Sequence, residues 1–101
     1  MSISEGIRLE KILEKRLVQE VEKLGGLAWK LVSPSNAGVP DRLVILPGGF
    51  SCMVELKKPG KDLSPLQFEI HKKLIKRKYP VYRVDSYEKL IIFTQILKSK
   101  L

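Results

Sequence analysis

The sequence predicts one α/β domain in which helices flank a central mixed β-sheet, in the order αβββαβα. Three observations predict it. Apolar residues recur at helical spacing near both ends of the chain, as in amphipathic helices. Short alternating apolar runs occupy the middle and are joined by Pro-Gly-Gly, as in a β-hairpin. The chain has 101 residues, which suits one core, so we expect a single domain spanning residues 1–101.

The first helix is expected over residues 4–24, with Ser4 as its N-cap and the Gly-Gly pair at 25–26 as its stop. Its core-facing row follows the i, i+4 spacing: Leu9, Leu13, Leu17, Val21 and Leu24. Three acids fall within or beside this row, namely Glu10, Glu14 and Glu20. A carboxylate on a buried face is costly unless it is paired or binds a metal. We therefore expect one of these acids to belong to a functional site, and Glu14 lies deepest in the row.

Three strands follow the first helix. Residues 27–32 form the first, with Trp29 expected in the core or in cross-strand packing. Residues 42–46 and 50–56 form a hairpin around Pro-Gly-Gly. Alternation in its second strand places Glu55 and Lys57 on the same face. The hairpin therefore directs these two side chains to one side of the sheet.

The second helix is expected over residues 65–78, with Ser64 as its N-cap and proline in its first turn. Its predicted core row is Leu66, Ile70 and Leu74. Gln67 and His71 form an i, i+4 pair beside that row. A strand at 80–84 and a helix at 87–97 complete the domain. The last helix carries a wide apolar segment at 90–97, which fits either additional core or a subunit interface.

Composition limits the function. Lys and Arg number 19 against 11 Asp and Glu, a formal net charge of +8, which favours polyanionic partners such as nucleic acid. No run approaches the ~20 apolar residues of a membrane span, and the start of the chain lacks the apolar region of a signal peptide. We therefore expect no membrane association and a cytoplasmic or nucleoid location. Cys52 reads as a core thiol, and one Cys with one His cannot form a structural zinc site.

A candidate site emerges where the hairpin strands meet. Asp41 opens the first strand and Glu55 lies near the end of the second, so antiparallel pairing makes them neighbours. Adjacent carboxylates repel unless a cation bridges them, and Mg²⁺ prefers such oxygen ligands. The main-chain carbonyl of Leu56 is a further candidate ligand. Lys57 would orient the attacking water or stabilise charge on the phosphate. The pattern indicates metal-dependent phosphodiester hydrolysis.

The same residues carry a family resemblance. Pro40-Asp41 with Glu55-Leu56-Lys57 resembles the PD-(D/E)XK nuclease superfamily. The longer runs Gly-Val-Pro-Asp-Arg-Leu-Val, Glu-Leu-Lys-Lys-Pro-Gly-Lys and Leu-Ser-Pro-Leu-Gln resemble the VRR-NUC family, and the likeness extends over nearly the whole chain. The resemblance implies a restriction-endonuclease-like core. It also implies catalytic roles for Asp41, Glu55 and Lys57 and an auxiliary role for Gln67. It further implies a metal-binding glutamate on the first helix, for which Glu14 matches best and Glu10 and Glu20 are the alternatives.

The resemblance further implies a DNA endonuclease that uses Mg²⁺, with Mn²⁺ able to substitute. It would act on branched or four-way junction DNA as a homodimer, in a bacterial cell or in the host cytoplasm if the source is viral. The basic residues around the site are then expected to contact DNA: Lys58, Lys61, His71, Lys72 and Arg42. The alternative is a nucleic-acid-binding module with the same fold and no catalysis.

Overall fold

The structure is a computed structural model that describes residues 2–101, and it confirms the predicted order αβββαβα. The elements are α1 (Ile3–Lys23), β1 (Leu27–Lys30), β2 (Arg42–Ile45), β3 (Ser51–Leu56), α2 (Pro65–Lys76), β4 (Val81–Val84) and α3 (Tyr87–Ser99).

The strands form one mixed sheet in the order β1-β2-β3-β4. β1 and β3 each pair antiparallel with β2, and β3 pairs parallel with β4. The β2–β3 hairpin turns through Gly48 and Gly49, both at positive φ, a conformation that glycine adopts without steric cost. The parallel β3–β4 pair requires a crossover, and α2 supplies it. This crossover brings α2 next to the end of β3 that carries Glu55.

Helices α1 and α3 cover one face of the sheet and form the core with it. The predicted row of α1 is confirmed, because Leu13, Leu17 and Val21 are fully buried and Leu9 and Leu24 pack against them. The remaining core residues come from the sheet, the β2–β3 turn and α3: Val44, Leu46, Cys52, Val54, Leu56, Val84, Leu90, Phe93 and Leu97. Cys52 is thus the buried thiol that its alternating segment predicts. Helix α3 contributes Leu90, Phe93 and Leu97 to the core, while its Ile91 and Ile92 remain exposed.

Helix α1 begins earlier than expected. Its N-cap is Ser2, whose hydroxyl accepts a hydrogen bond from the Glu5 amide at 3.2 Å, and the predicted cap Ser4 lies in the first turn. In the helix that begins after Ser2, Glu5 stands in the first turn, where a negative charge is favourable. No helix between Ser2 and Leu101 is long and apolar enough to cross a membrane.

Helix α2 departs from its predicted packing. Ser64 caps it as expected, but Leu66 is 60 % exposed and Ile70 and Leu74 are only half-buried. His71 is instead buried. This packing follows from where α2 lies. It packs chiefly against β4, on the sheet face opposite α1 and α3. That part of the face presents polar side chains, so the helix turns its polar residues inward.

The rest of that face is uncovered. Register places six side chains on it, which we call the open sheet face: Leu27, Trp29, Leu43, Ile45, Ser51 and Met53. Of the two alternatives predicted for Trp29, the core position is wrong, since its side chain is 56 % exposed, whereas the register pairs Trp29 with Leu43 on the neighbouring strand. Strand alternation correctly places Trp29 on the sheet face opposite to its neighbours in β1. Alternation alone does not tell which of the two faces the helices cover.

Candidate active site

Asp41 and Glu55 lie side by side at one end of the hairpin. Arg42 pairs with Val54 in the β2–β3 register, so the next residues outward on each strand are Asp41 and Glu55. The Leu56 amide donates a hydrogen bond to Asp41 Oδ2 at 2.8 Å, which fixes this carboxylate against β3. The proximity expected from the sequence is therefore found.

Glu55 is buried with an incomplete set of hydrogen bonds. It is 1 % exposed, and its Oε1 has no hydrogen-bond partner among the described residues. The pKa of Glu55 is raised to about 9, chiefly by burial and then by the neighbouring Asp41 carboxyl, while the charge of Lys57 opposes the shift. At neutral pH this carboxyl therefore keeps its proton unless a cation replaces it.

The donor set fits a hard divalent cation. Two adjacent carboxylates disfavour joint ionisation, and one buried oxygen lacks a partner, so a cation would relieve both costs. Leu56 and Asp41 line the same pocket, of about 270 Å³. Within residues 2–101, His, Cys, Asp and Glu side chains form no group of three or more suited to a metal. Such a short protein ligand set suits Mg²⁺, which keeps several waters and takes phosphate oxygens.

The three acids of α1 have different surroundings. Glu20 is paired with Arg16 at 3.1 Å and Lys23 at 3.2 Å on the α3 side of the helix. Glu14 lines the pocket, but Arg42 Nε holds its Oε2 at 3.1 Å.

Of the three acids of α1, Glu10 has a pKa that is affected by the charge of Asp41. Burial raises its pKa, and the nearby charge of Asp41 raises it further. The acid that the sequence ranked first is thus ion-paired, while Glu10 faces Asp41 across the pocket.

Lys57 and Gln67 both stand next to Glu55. The Lys57 amide donates to the Val84 carbonyl at 3.1 Å, which anchors its backbone, and its charge acts on Glu55. Gln67 Oε1 accepts from the Ser64 amide at 2.9 Å in a capping box. This bond orients the amide so that Gln67 Nε2 points at Glu55 Oε2, 3.5 Å away.

The residues expected to contact DNA divide into two groups. Lys61 and Lys72 are exposed, and Lys58 is half-buried against Gly6. Arg42 does not fit the expected role, because it is partly buried and bonds to Glu14 and to the Ala28 carbonyl. His71 does not fit it either, because its imidazole is buried under α2. Both differences have one cause. The sequence spacing shows that a residue is near the site, but not whether its side chain points into the protein or to the solvent.

Sequence reasoning missed Arg83. The parallel register sets it directly across from Glu55, and its guanidinium donates to the Lys61 carbonyl and approaches Asp85 Oδ2 at 3.4 Å. Arg83 thereby ties the basic loop after β3 to β4. The sequence shows the alternating run that forms β4. The register of a parallel strand pair, however, is not set by a tight turn, so the sequence does not predict that Arg83 lies across from Glu55.

Comparisons with known proteins agree on one class. No family model matches the chain. A phage protein named "Putative nuclease p44", from Acyrthosiphon pisum secondary endosymbiont phage 1, is 47% identical over 79 residues, which cover 78% of this chain and 85% of that protein. A solved structure described as "VRR_NUC domain" superposes with a TM-score of 0.82 at 34% identity, covering 86% of this chain and 95% of the other.

Proposed function

We propose a specific reaction for this chain, which belongs to the VRR_NUC domain family and is a nuclease: metal-dependent endonucleolytic cleavage of DNA, selective for branched structures such as four-way junctions. One observation carries the proposal. Buried Glu55 lies against Asp41 with one oxygen unpartnered, and Asp41 lines a pocket on a protein of net charge +8. This is an arrangement that a cation stabilises and that a phosphate can approach.

The residues have separable roles. Asp41, Glu55 and the Leu56 carbonyl would hold Mg²⁺ or Mn²⁺, and Glu10, in place of Glu14, would be the α1 acid beside this ligand set. The bound cation would polarise the scissile phosphate and favour ionisation of the attacking water. Lys57 would donate to a phosphate oxygen and stabilise the charge that develops as water attacks in line. Gln67 would hold Glu55 in place, and Lys58, Lys61 and Lys72 would bind flanking phosphates.

The test is a cleavage panel. Purified protein is incubated with labelled four-way junctions, flaps, nicked duplexes, linear duplex and single strands, each with Mg²⁺, Mn²⁺, Ca²⁺ or EDTA. We expect cleavage with Mg²⁺ and Mn²⁺, none with EDTA, and junctions cut fastest. Binding of junctions at low salt without cleavage under any condition would favour the alternative, a binding module that lacks catalysis. Neither binding nor cleavage would contradict both.

The open sheet face supports a homodimer. Its six side chains carry no charge, although the chain as a whole is strongly basic. A second copy with the same charge meets least repulsion at an uncharged surface, and a twofold interface must be complementary to itself. Exposed apolar area of this kind marks interaction sites. We therefore propose that two copies associate through this face, which would set two active sites on one junction.

Trp29→Glu tests the interface. Trp29 is the largest exposed side chain of the open sheet face, so its loss should raise the dimer dissociation constant by at least about thirtyfold, the effect of a 2 kcal/mol hot spot. Sedimentation equilibrium measures the constant. The matched control is Ile91→Glu, since Ile91 is 60 % exposed on α3. Dissociation by the control and not by Trp29→Glu would move the interface to the C-terminal apolar segment.

A further inference from the structure

We propose that His71 is a positioning residue: its imidazole and the amide of Gln67, one helical turn apart on α2, together orient the carboxylate of Glu55 from both of its oxygens. The inference rests on the proposed function, because the purpose of the orientation is to receive a divalent cation. The contact itself can be measured in the absence of DNA.

The burial of His71 needs an explanation. Of the twelve residues of α2, all of which the structure describes, His71 alone is buried, at 7 % exposure. Apolar side chains on the same helix remain in solvent, including Leu66 and Ile75 at 60 % each. Burying a polar ring instead of these costs free energy unless the ring has a polar partner. The packing of α2 is therefore directed by what faces His71.

What faces it is Glu55. His71 Nε2 lies 3.7 Å from Glu55 Oε1, and Gln67 Nε2 lies 3.5 Å from Glu55 Oε2, so each oxygen meets one nitrogen of α2. Among the described residues, neither His71 Nε2 nor Glu55 Oε1 has another hydrogen-bond partner. A shift of about half an ångström, available within one rotamer well, brings the imidazole to hydrogen-bond distance.

The position of Glu55 favours an imidazole that donates from Nε2. When a bound cation keeps Glu55 ionised, the carboxylate oxygen that faces Nε2 can only accept a hydrogen bond. It then selects the tautomer of His71 that carries the proton on Nε2. An uncharged donor orients Glu55 without repelling a cation, which a protonated histidine or a lysine at this position would do. Partners of this kind set the geometry of metal-binding carboxylates.

His71 is the one histidine in the sequence, so its NMR signals need no assignment. In long-range ¹H–¹⁵N spectra of the protein saturated with Mg²⁺, near neutral pH, we expect the Nε2–H tautomer, because a bound cation keeps Glu55 ionised. Glu55→Gln should move the Nε2 resonance, and Mg²⁺ alone should shift it saturably in the wild type but not in that variant. An Nδ1–H tautomer, or signals that respond to neither change, would overturn the proposal.

Two substitutions at position 71 extend the test to affinity and rate. His71→Leu removes the donor and should weaken Mg²⁺ binding in calorimetry and slow single-turnover cleavage by about 10- to 100-fold, the range for such partners. His71→Gln should recover most of both, because its amide nitrogen reaches nearly the Nε2 position. Ile75→Gln, exposed one turn further on, is the matched control and should leave both unchanged.

The outcomes separate the two hypotheses. If His71→Leu binds and cleaves as well as the wild type, the positioning role is refuted while the nuclease proposal stands. If the wild type cleaves no substrate yet its imidazole responds to Glu55→Gln and to Mg²⁺, the positioning role stands and the proposed function fails. Should His71→Leu not fold, the wild-type and Glu55→Gln spectra still decide the contact.

Discussion

Replacing Asp41 by asparagine should abolish metal-dependent cleavage while leaving the fold in place. Asparagine keeps an oxygen that can accept the Leu56 amide, now at 2.8 Å from Asp41 Oδ2, so β2 and β3 stay joined. What it removes is the negative charge that Glu55 and a cation both sense. Loss of a charge worth several kcal/mol to the transition state corresponds to a rate at least about 10³-fold lower.

Single-turnover cleavage of the substrate that the wild type cuts fastest in the cleavage panel, at saturating Mg²⁺, measures this loss. The matched control is Asp62→Asn, because Asp62 is an exposed aspartate on the loop before α2. It should cut within about twofold of the wild type. A thermal melt of Asp41→Asn checks the fold. Asp41→Asn cutting at the wild-type rate, with Mg²⁺ still required, would remove this carboxylate from the site.

Gly38→Ala should destabilise the domain and displace Gln67. Gly38 adopts φ +94, and a Cβ there would lie 2.8 Å from the carbonyl group of Leu66 and 2.9 Å from the Gln67 amide nitrogen. These are backbone atoms of the first turn of α2, which cannot yield as a flexible side chain can. Strain in the left-handed region costs about 1–2 kcal/mol, and forced separation of packed backbone adds about 1–3 kcal/mol.

Urea denaturation should therefore show a loss of about 3 kcal/mol in the free energy of unfolding for Gly38→Ala. Gly48 offers the matched control. It has nearly the same backbone angle, φ +93, but a Cβ there meets nothing within 4 Å. Gly48→Ala should lose only the strain, about 1 kcal/mol. Equal losses in the two variants would mean that the close approach of Gly38 to the first turn of α2 adds nothing to the free energy lost.

The local parts of the fold were predictable because their causes are local. The apolar row of α1, the Pro-Gly-Gly hairpin and the Ser64 cap each depend on residues within one turn or one strand. The hairpin alone sufficed to make Asp41 and Glu55 neighbours. Nothing in that inference required knowing how helices pack.

What escaped prediction depends on which side of the sheet each helix covers. Leu66 was expected in the core, and the core was one of two places expected for Trp29. Helix α2 turns Leu66 to solvent and does not cover Trp29. Glu14 lies on the correct helix face but meets Arg42 from β2 before it reaches the carboxylates. His71 was taken for a surface residue because helical spacing says nothing about a polar neighbour contributed by another strand. These are contacts between elements distant in sequence, and single-sequence patterns do not specify them.

The capping box of α2 couples the position of Gln67 at the candidate active site to the fraying of the N-terminal end of that helix. The Gln67 side chain that receives the Ser64 amide also reaches Glu55, so one opening event breaks both contacts. Helix ends open far more often than whole domains unfold. The fraction of molecules competent for cleavage would then follow the opening equilibrium of one turn, which amide hydrogen exchange at residues 64–68 reports. Activity would fade on warming well before the sheet melts.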